Sequence, residues 1–271
     1  MLFQIMARSR RQQSFEFRTW GGRRARAGRR PNGQRAGVSH LSRPSHSWRH
    51  PLHVTLKVKQ GVPSLREHAL FVMVRRALAA AKQQFGFSLV HFSVQRDHVH
   101  LLAEAQDRRA LSRGVQGLAI RVALAVNRQL QRKGRLFADR YHARALKTPR
   151  EAGFALRYVL LNARKHAART PKGSAGALRR RKSAVVAPSG AGRSRKVDLG
   201  VPWGWVDGCS SAAWFRDFVR PDELAFGARQ CRQEFARRHP SLDAPVIAPE
   251  TWLLRSGYQR AGPFDVDDSP A

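Results

Sequence analysis

The chain has 271 residues, 51 of them Lys or Arg and only 18 Asp or Glu, for a formal net charge of +33 at pH 7. A field of that sign and size seeks a polyanion, either nucleic acid or an anionic membrane surface. No apolar run approaches the roughly 20 residues that span a bilayer, and no apolar secretory region opens the chain. Nucleic acid, DNA in particular, is therefore the expected partner, no membrane contact is expected, and the cytoplasm around the nucleoid is the expected location. Two distant cysteines, Cys209 and Cys231, make neither a disulfide framework nor a zinc knuckle.

Residues 1–50 hold twelve Arg and one acidic residue, Glu16, among Gly, Ser and Pro, a composition expected to form a disordered basic arm. From 51 onward periodicity appears. Leu52, Val54, Leu56 and Val58 alternate with His53, Thr55 and Lys57, the pattern of a half-buried strand. Ser64-Leu65-Arg66-Glu67 reads as a capping box opening a helix that runs to about Lys82, with Leu70, Val74 and Leu78 on its apolar stripe. A second strand alternates through Val90, Phe92 and Val94. A tight connection at Arg96-Asp97 leads into a third, where Val99, Leu101 and Ala103 alternate with His98, His100 and Glu104. A second helix is expected from about Arg108 to Arg132, stopped by Gly134. Phe137 to Leu146 contains a fourth strand, and Thr148-Pro149-Arg150-Glu151 opens a third helix with a Thr cap, Pro first and Glu third.

The order β-α-β-β-α-β and then a helix is that of an α+β, ferredoxin-like split β-α-β core with an antiparallel sheet, helices on one face and the other face open. It occupies residues 51–169. Residues 170–200 read as a basic linker, and 201–271, which carry Trp203, Trp205, Trp214 and Trp252, as a small C-terminal appendage.

Residues i and i+2 of a strand point the same way, so His98 and His100 share the face opposite the core. Paired neutral imidazoles can ligate one divalent cation, which acts as a Lewis acid on a phosphodiester. By itself His-x-His is a weak signal, since two histidines on a solvated sheet face would look the same. A second element is needed. On the third helix Tyr158 and Asn162 stand i,i+4 on one side, with Lys165 and His166 a turn further along. A phenol can attack a positioned phosphate, and an amide oxygen one turn away can complete a metal's shell or hold that phosphate. Packing on the sheet would equally suit a helical tyrosine. Tyr141 is a rival nucleophile with no helical partner to present it, better suited to a structural or stacking role. Arg140 and Arg144 would suit phosphates, and His91 reads as a surface histidine.

Three motifs, His98-Val99-His100-Leu101-Leu102, Phe137-Ala138-Asp139-Arg140-Tyr141-His142 and Arg157-Tyr158-Val159-Leu160-Leu161-Asn162, resemble in order and spacing the REP-associated tyrosine transposases, relatives of the single-tyrosine HUH transposases. The resemblance covers about residues 50–168. It implies an enzyme that cuts and rejoins single-stranded DNA near hairpins through a 5′-phosphotyrosine bond, as a monomer or a homodimer. It further implies His98 and His100 as ligands of Mg²⁺ or Mn²⁺, Tyr158 as nucleophile and Asn162 in support. Two positions depart from the family pattern. Arg96-Asp97 stands where relatives have Pro-Asn, and Ala163 where many have Pro. The alternative reading is a nucleic-acid-binding protein that keeps the fold without the chemistry.

Overall fold

Alternation places Leu52, Val54 and Leu56 of strand β1 (Leu52–Lys57) on a buried face and turns His53 and Thr55 to the other. In the computed structural model, residues 44–169, 207–215, 217–218, 225–238, 240 and 244–264 are described. Residues 1–43 of the expected basic arm, the expected linker over 170–200, and Trp203 and Trp205 lie outside them. After β1 come α1 (His68–Ala80), a short β2 (Gln83–Gln84), β3 (Phe87–Val94), β4 (His98–Ala105), α2 (Arg108–Gln129), β5 (His142–Ala145) and α3 (Pro149–Arg169). The five strands form one antiparallel sheet in the order β2-β3-β4-β1-β5. β4 lies between β1 and β3, which splits the β-α-β unit. The ferredoxin-like α+β arrangement expected from the element order is the one the chain adopts.

One face of the sheet packs against α1 and α2 through Leu70, Val74, Leu78, Leu111, Val115, Leu118 and Val122. Asp107 caps α2, its side chain accepting from the Ala110 N–H at 2.7 Å. α2 crosses β3 closely because position 114 is glycine. A Cβ there would lie 2.2 Å from the Phe87 ring.

The second face is covered, contrary to the expectation of an open one. α3 lies on it, with Leu156, Val159 and Leu160 packed against Val90 and Leu102 of the sheet. The reason is apolar area. Val90, Leu102 and Leu146 form a strip on that face that must be buried, and α3 supplies the partner surface. The outer side of α3 is covered in turn by α5 (Trp252–Arg255) and the turn Gly257–Ala261, with Leu253, Leu254, Tyr258 and Phe264 in the same cluster. Gly153 permits this approach, since a Cβ there would meet Ala261 at 2.9 Å and the Tyr258 carbonyl at 3.4 Å.

Polar contacts dock the C-terminal segments. Arg66 donates to both carboxylate oxygens of Asp207, at 2.9 and 2.7 Å. The buried Glu104 carboxylate accepts from the backbone N–H groups of Glu250 and Thr251 and from the Thr251 hydroxyl. Cys209 to Ser211 run along the outer edge of β3, where Val94 N–H donates to the Cys209 carbonyl and Ser211 N–H to that of Phe92. The edge is thereby kept from pairing with another chain. α4 (Ala225–Arg238) brings Phe235 against Trp214.

Three local expectations change. The box at Ser64–Glu67 does not cap a helix: α1 starts at His68 and Glu67 makes no side-chain cap. Leu65 is fully buried and its N–H donates to the Arg96 carbonyl, while Arg66 is held by Asp207, so those residues form a turn before the helix. β3 begins at Phe87 and carries a bulge between Leu89 and His91, which moves Val90 to the face opposite Phe92 and Val94. α2 ends at Gln129, short of the expected Arg132, with Gln131 (φ 49°) turning the chain before Gly134, which also has a positive φ of 94°.

Candidate active site

The Arg96-Asp97 turn between β3 and β4 closes with a bond from Gln95 N–H to the His98 carbonyl. It delivers His98 and His100 to the α3 face, their ring centroids 4.6 Å apart and nearly perpendicular. Each ring is oriented through Nδ1. His98 Nδ1 lies 2.7 Å from Asp97 Oδ1, and the hydrogen bond from His98 holds the Asp97 carboxyl below its ordinary range. His100 Nδ1 lies 3.2 Å from both His53 Nε2 and Thr55 Oγ1 on the neighbouring strand. In both cases Nε2 is the nitrogen suited to a ligand, an arrangement in which outer partners set tautomer and ring angle.

α3 completes the cluster. Its start is the capping box expected from sequence: Thr148 Oγ1 accepts from Glu151 N–H, and the Glu151 carboxylate accepts from the Lys147 and Thr148 N–H groups. Two turns on, the Tyr158 ring stands edge-on to His100 with centroids 5.0 Å apart, and to His53 at 5.8 Å. Asn162 is 1% exposed, and neither of its amide atoms finds a hydrogen-bond partner among the described residues. Arg157 donates to the carbonyls of Gly262 and Pro263 and stacks on Phe264, which ties the helix to the C-terminal segment.

Residues 46–159 match the family described as transposase, IS200-like. A solved structure of a REP-associated tyrosine transposase bound to a REP hairpin is similar at 15% identity and a TM-score of 0.40, covering 48% of this chain and 74% of that one. No curated protein matches the chain.

Of the four site residues expected from sequence, the fold brings His98, His100 and Tyr158 into one ring cluster and places Asn162 one turn further along the tyrosine helix. Side chains of Lys165 and His166 lie outside the described residues. Tyr141 is buried in the core on the α1 and α2 side of the sheet, consistent with the structural role expected for it. His91, read from sequence as a surface residue, is instead buried against Ser211 and the Phe215 ring, and burial pushes its pKa down to about 3. The cover supplied by residues 207–215 accounts for the change.

Sequence reasoning missed His53 and Thr55 as parts of this site, whereas Asp97 stood out as a departure beside the first histidine. The alternation of His53 and Thr55 onto the polar face of β1 was legible, but the pairing of β1 with β4 that sets them beside His100 was not. Burial, with His142 and Arg144 nearby, lowers the pKa of His53 to about 4, so its imidazole is neutral at pH 7.

Among the described residues no cluster of three or more His, Cys, Asp or Glu is poised for a metal ion. Two oriented imidazoles are at hand, and the buried Asn162 amide lies one helical turn beyond Tyr158. Such a set fits a divalent cation that takes its remaining ligands from a phosphate and water. Among the described residues no helix is long and apolar enough to cross a membrane.

Proposed function

We propose that residues 46–159 are an IS200-like transposase domain that cuts and rejoins single-stranded DNA near hairpins through a 5′-phosphotyrosine intermediate, with Tyr158 as nucleophile. What carries the reading is the 5.0 Å approach of the Tyr158 ring to His100, itself 4.6 Å from His98. His98 and His100 would hold Mg²⁺ or Mn²⁺ through Nε2, with the Asn162 amide as a further ligand or phosphate contact. The cation, when bound, would polarise a non-bridging oxygen of the scissile phosphate.

The rest of the work falls to the chain's own side chains. Tyr158 forms the O–P bond while the bond from phosphorus to the 3′ oxygen breaks. The phenol loses a proton and the departing oxygen gains one, giving a 3′-hydroxyl and a DNA 5′ end joined to Tyr158. Rejoining reverses these steps with a different 3′-hydroxyl, so no nucleotide cofactor is consumed. Asp97, His53 and Thr55 fix the two imidazoles in advance, which spares reorganisation when the phosphate arrives.

The test incubates the protein with a library of hairpin-flanked single-stranded oligonucleotides in Mg²⁺ or Mn²⁺. A covalent DNA–protein adduct is expected, carried on the Tyr158 peptide by mass spectrometry and absent from Tyr158→Phe. An adduct that survives Tyr158→Phe removes the nucleophile assignment. Tight binding with no adduct across the library favours the binding-only reading. Replacing His98 and His100 together by Ala should abolish cleavage; unaffected cleavage removes the metal claim.

A further inference from the structure

Beside Tyr158, on the His53 side, lies a cavity of about 370 Å³ lined by Tyr158, His53, Leu146, Phe154, Arg144 and Glu151 among others. That volume is at the small end of the roughly 300–1,000 Å³ typical of ligand pockets, room for one nucleoside and not for a run of them. We infer that this cavity is a single-nucleobase pocket, which seats the base next to the phosphate that Tyr158 attacks. The inference rests on the proposed strand-cutting reaction and names the part of its substrate that the site reads.

Phe154 is the first argument. It stands one helical turn before Tyr158 on α3 and is 47% exposed, although Ala152, Ala155, Leu156, Val159, Leu160 and Leu161 of the same helix are buried. Packing explains those neighbours and not the exposure of Phe154, whose ring carries the Arg150 guanidinium at 5.4 Å, a cation that a stacked base would have to displace or share the ring with. An aromatic ring displayed at the wall of a pocket beside a nucleophile for DNA is a stacking platform for a base. Leu146 continues the apolar wall.

The polar rim is the second argument. Arg144 donates to Glu151 Oε1 at 2.7 Å, while Glu151 Oε2 accepts from the Lys147 and Thr148 N–H groups. Both carboxylate oxygens are thus committed to the helix start and to Arg144. The rim therefore offers guanidinium donors, and the base edge that meets them must accept. Guanine, with O6 and N7 side by side, fits that requirement best.

The experiment measures binding by the Tyr158→Phe protein, so that chemistry plays no part, to the hairpin-flanked oligonucleotides with each nucleotide in turn made abasic. One position next to the cleavage site is expected to lose affinity by roughly 5- to 150-fold, the size of one base–aromatic stack. Adding Phe154→Ala should flatten that penalty, whereas adding Phe154→Trp, which restores a ring, should keep it. An abasic penalty unchanged by Phe154→Ala, or no position with a penalty, overturns the pocket. Guanine should be the preferred base there, and Arg144→Gln should erase the preference; equal affinity for all four bases in the Arg144 protein overturns the donor readout. Failure to form an adduct, with this binding profile intact, would sink the chemistry and spare the pocket.

Discussion

Asn162 is buried on the tyrosine helix with both amide atoms lacking hydrogen-bond partners among the described residues. An unsatisfied buried polar group costs about 1–3 kcal/mol, so the ligand role proposed for Asn162 predicts that the side chain is a net cost to the fold. Asn162→Leu is expected to raise the melting temperature while losing adduct formation, checked by thermal melts beside the oligonucleotide assay; a variant both less stable and fully active would contradict this. Asp97 acts through His98 by the 2.7 Å bond to Nδ1. Asp97→Ala should weaken Mn²⁺ binding by about 10–100-fold with little change in folding, which a Mn²⁺ titration followed by calorimetry would read. From sequence the shared faces of His98 with His100 and of Tyr158 with Asn162 were legible, because i+2 in a strand and i+4 in a helix are local geometry. His53 and Thr55 were not, because their place beside His100 depends on which strand β4 pairs with.

Two Ser/Thr-x-x-Glu patterns occur, and only one becomes a capping box. Thr148–Glu151 forms it; Ser64–Glu67 does not, since the buried Leu65 and its bond to the Arg96 carbonyl hold that backbone in another turn. A cap pattern decides a helix start only where tertiary contacts leave the backbone free to obey it. Thr148→Ala should accordingly cost about 1 kcal/mol, seen as a lower denaturant midpoint, while Ser64→Ala should leave α1 intact. Gly114 poses the opposite problem. Helix propensity favours Ala by about 1 kcal/mol, but the added Cβ would lie 2.2 Å from Phe87. Overpacking of that kind costs about 1–3 kcal/mol, and the clash is with a fully buried ring, so Gly114→Ala should destabilise. A rise in its melting temperature would show that α2 can shift away from β3.

Across the whole molecule, the cover on the histidine face makes acid stability a test of the fold. His91 has its pKa lowered by burial to about 3 and His53 to about 4, against an ordinary 6.5. Between these values the unfolded chain binds protons that the folded one refuses. Stability is therefore full above about pH 6.5 and falls as pH drops toward 4, by up to about 1.4 kcal/mol per unit for each histidine. His91→Gln should make the acid limb shallower in melts taken from pH 7 to 4; an unchanged limb would mean His91 protonates freely in the folded state. The net charge of +33 belongs to this scale too. DNA affinity should fall steeply with salt as condensed counterions are released, and a flat dependence would argue against many phosphate contacts.

Alternation, helix spacing and charge are properties of neighbouring residues. The sequence alone therefore determined the four main strands and three helices of the core, the split β-α-β order and the shared faces of His98 with His100 and of Tyr158 with Asn162. The tertiary structure decided what lies across the sheet. It put a bulge at Val90, laid α3 over the histidines, closed that helix under residues 251–264 and brought His53, 47 residues away, to within 3.2 Å of His100. Those outcomes follow from burying apolar strips that face one another only after folding, and no local pattern encodes which strip meets which.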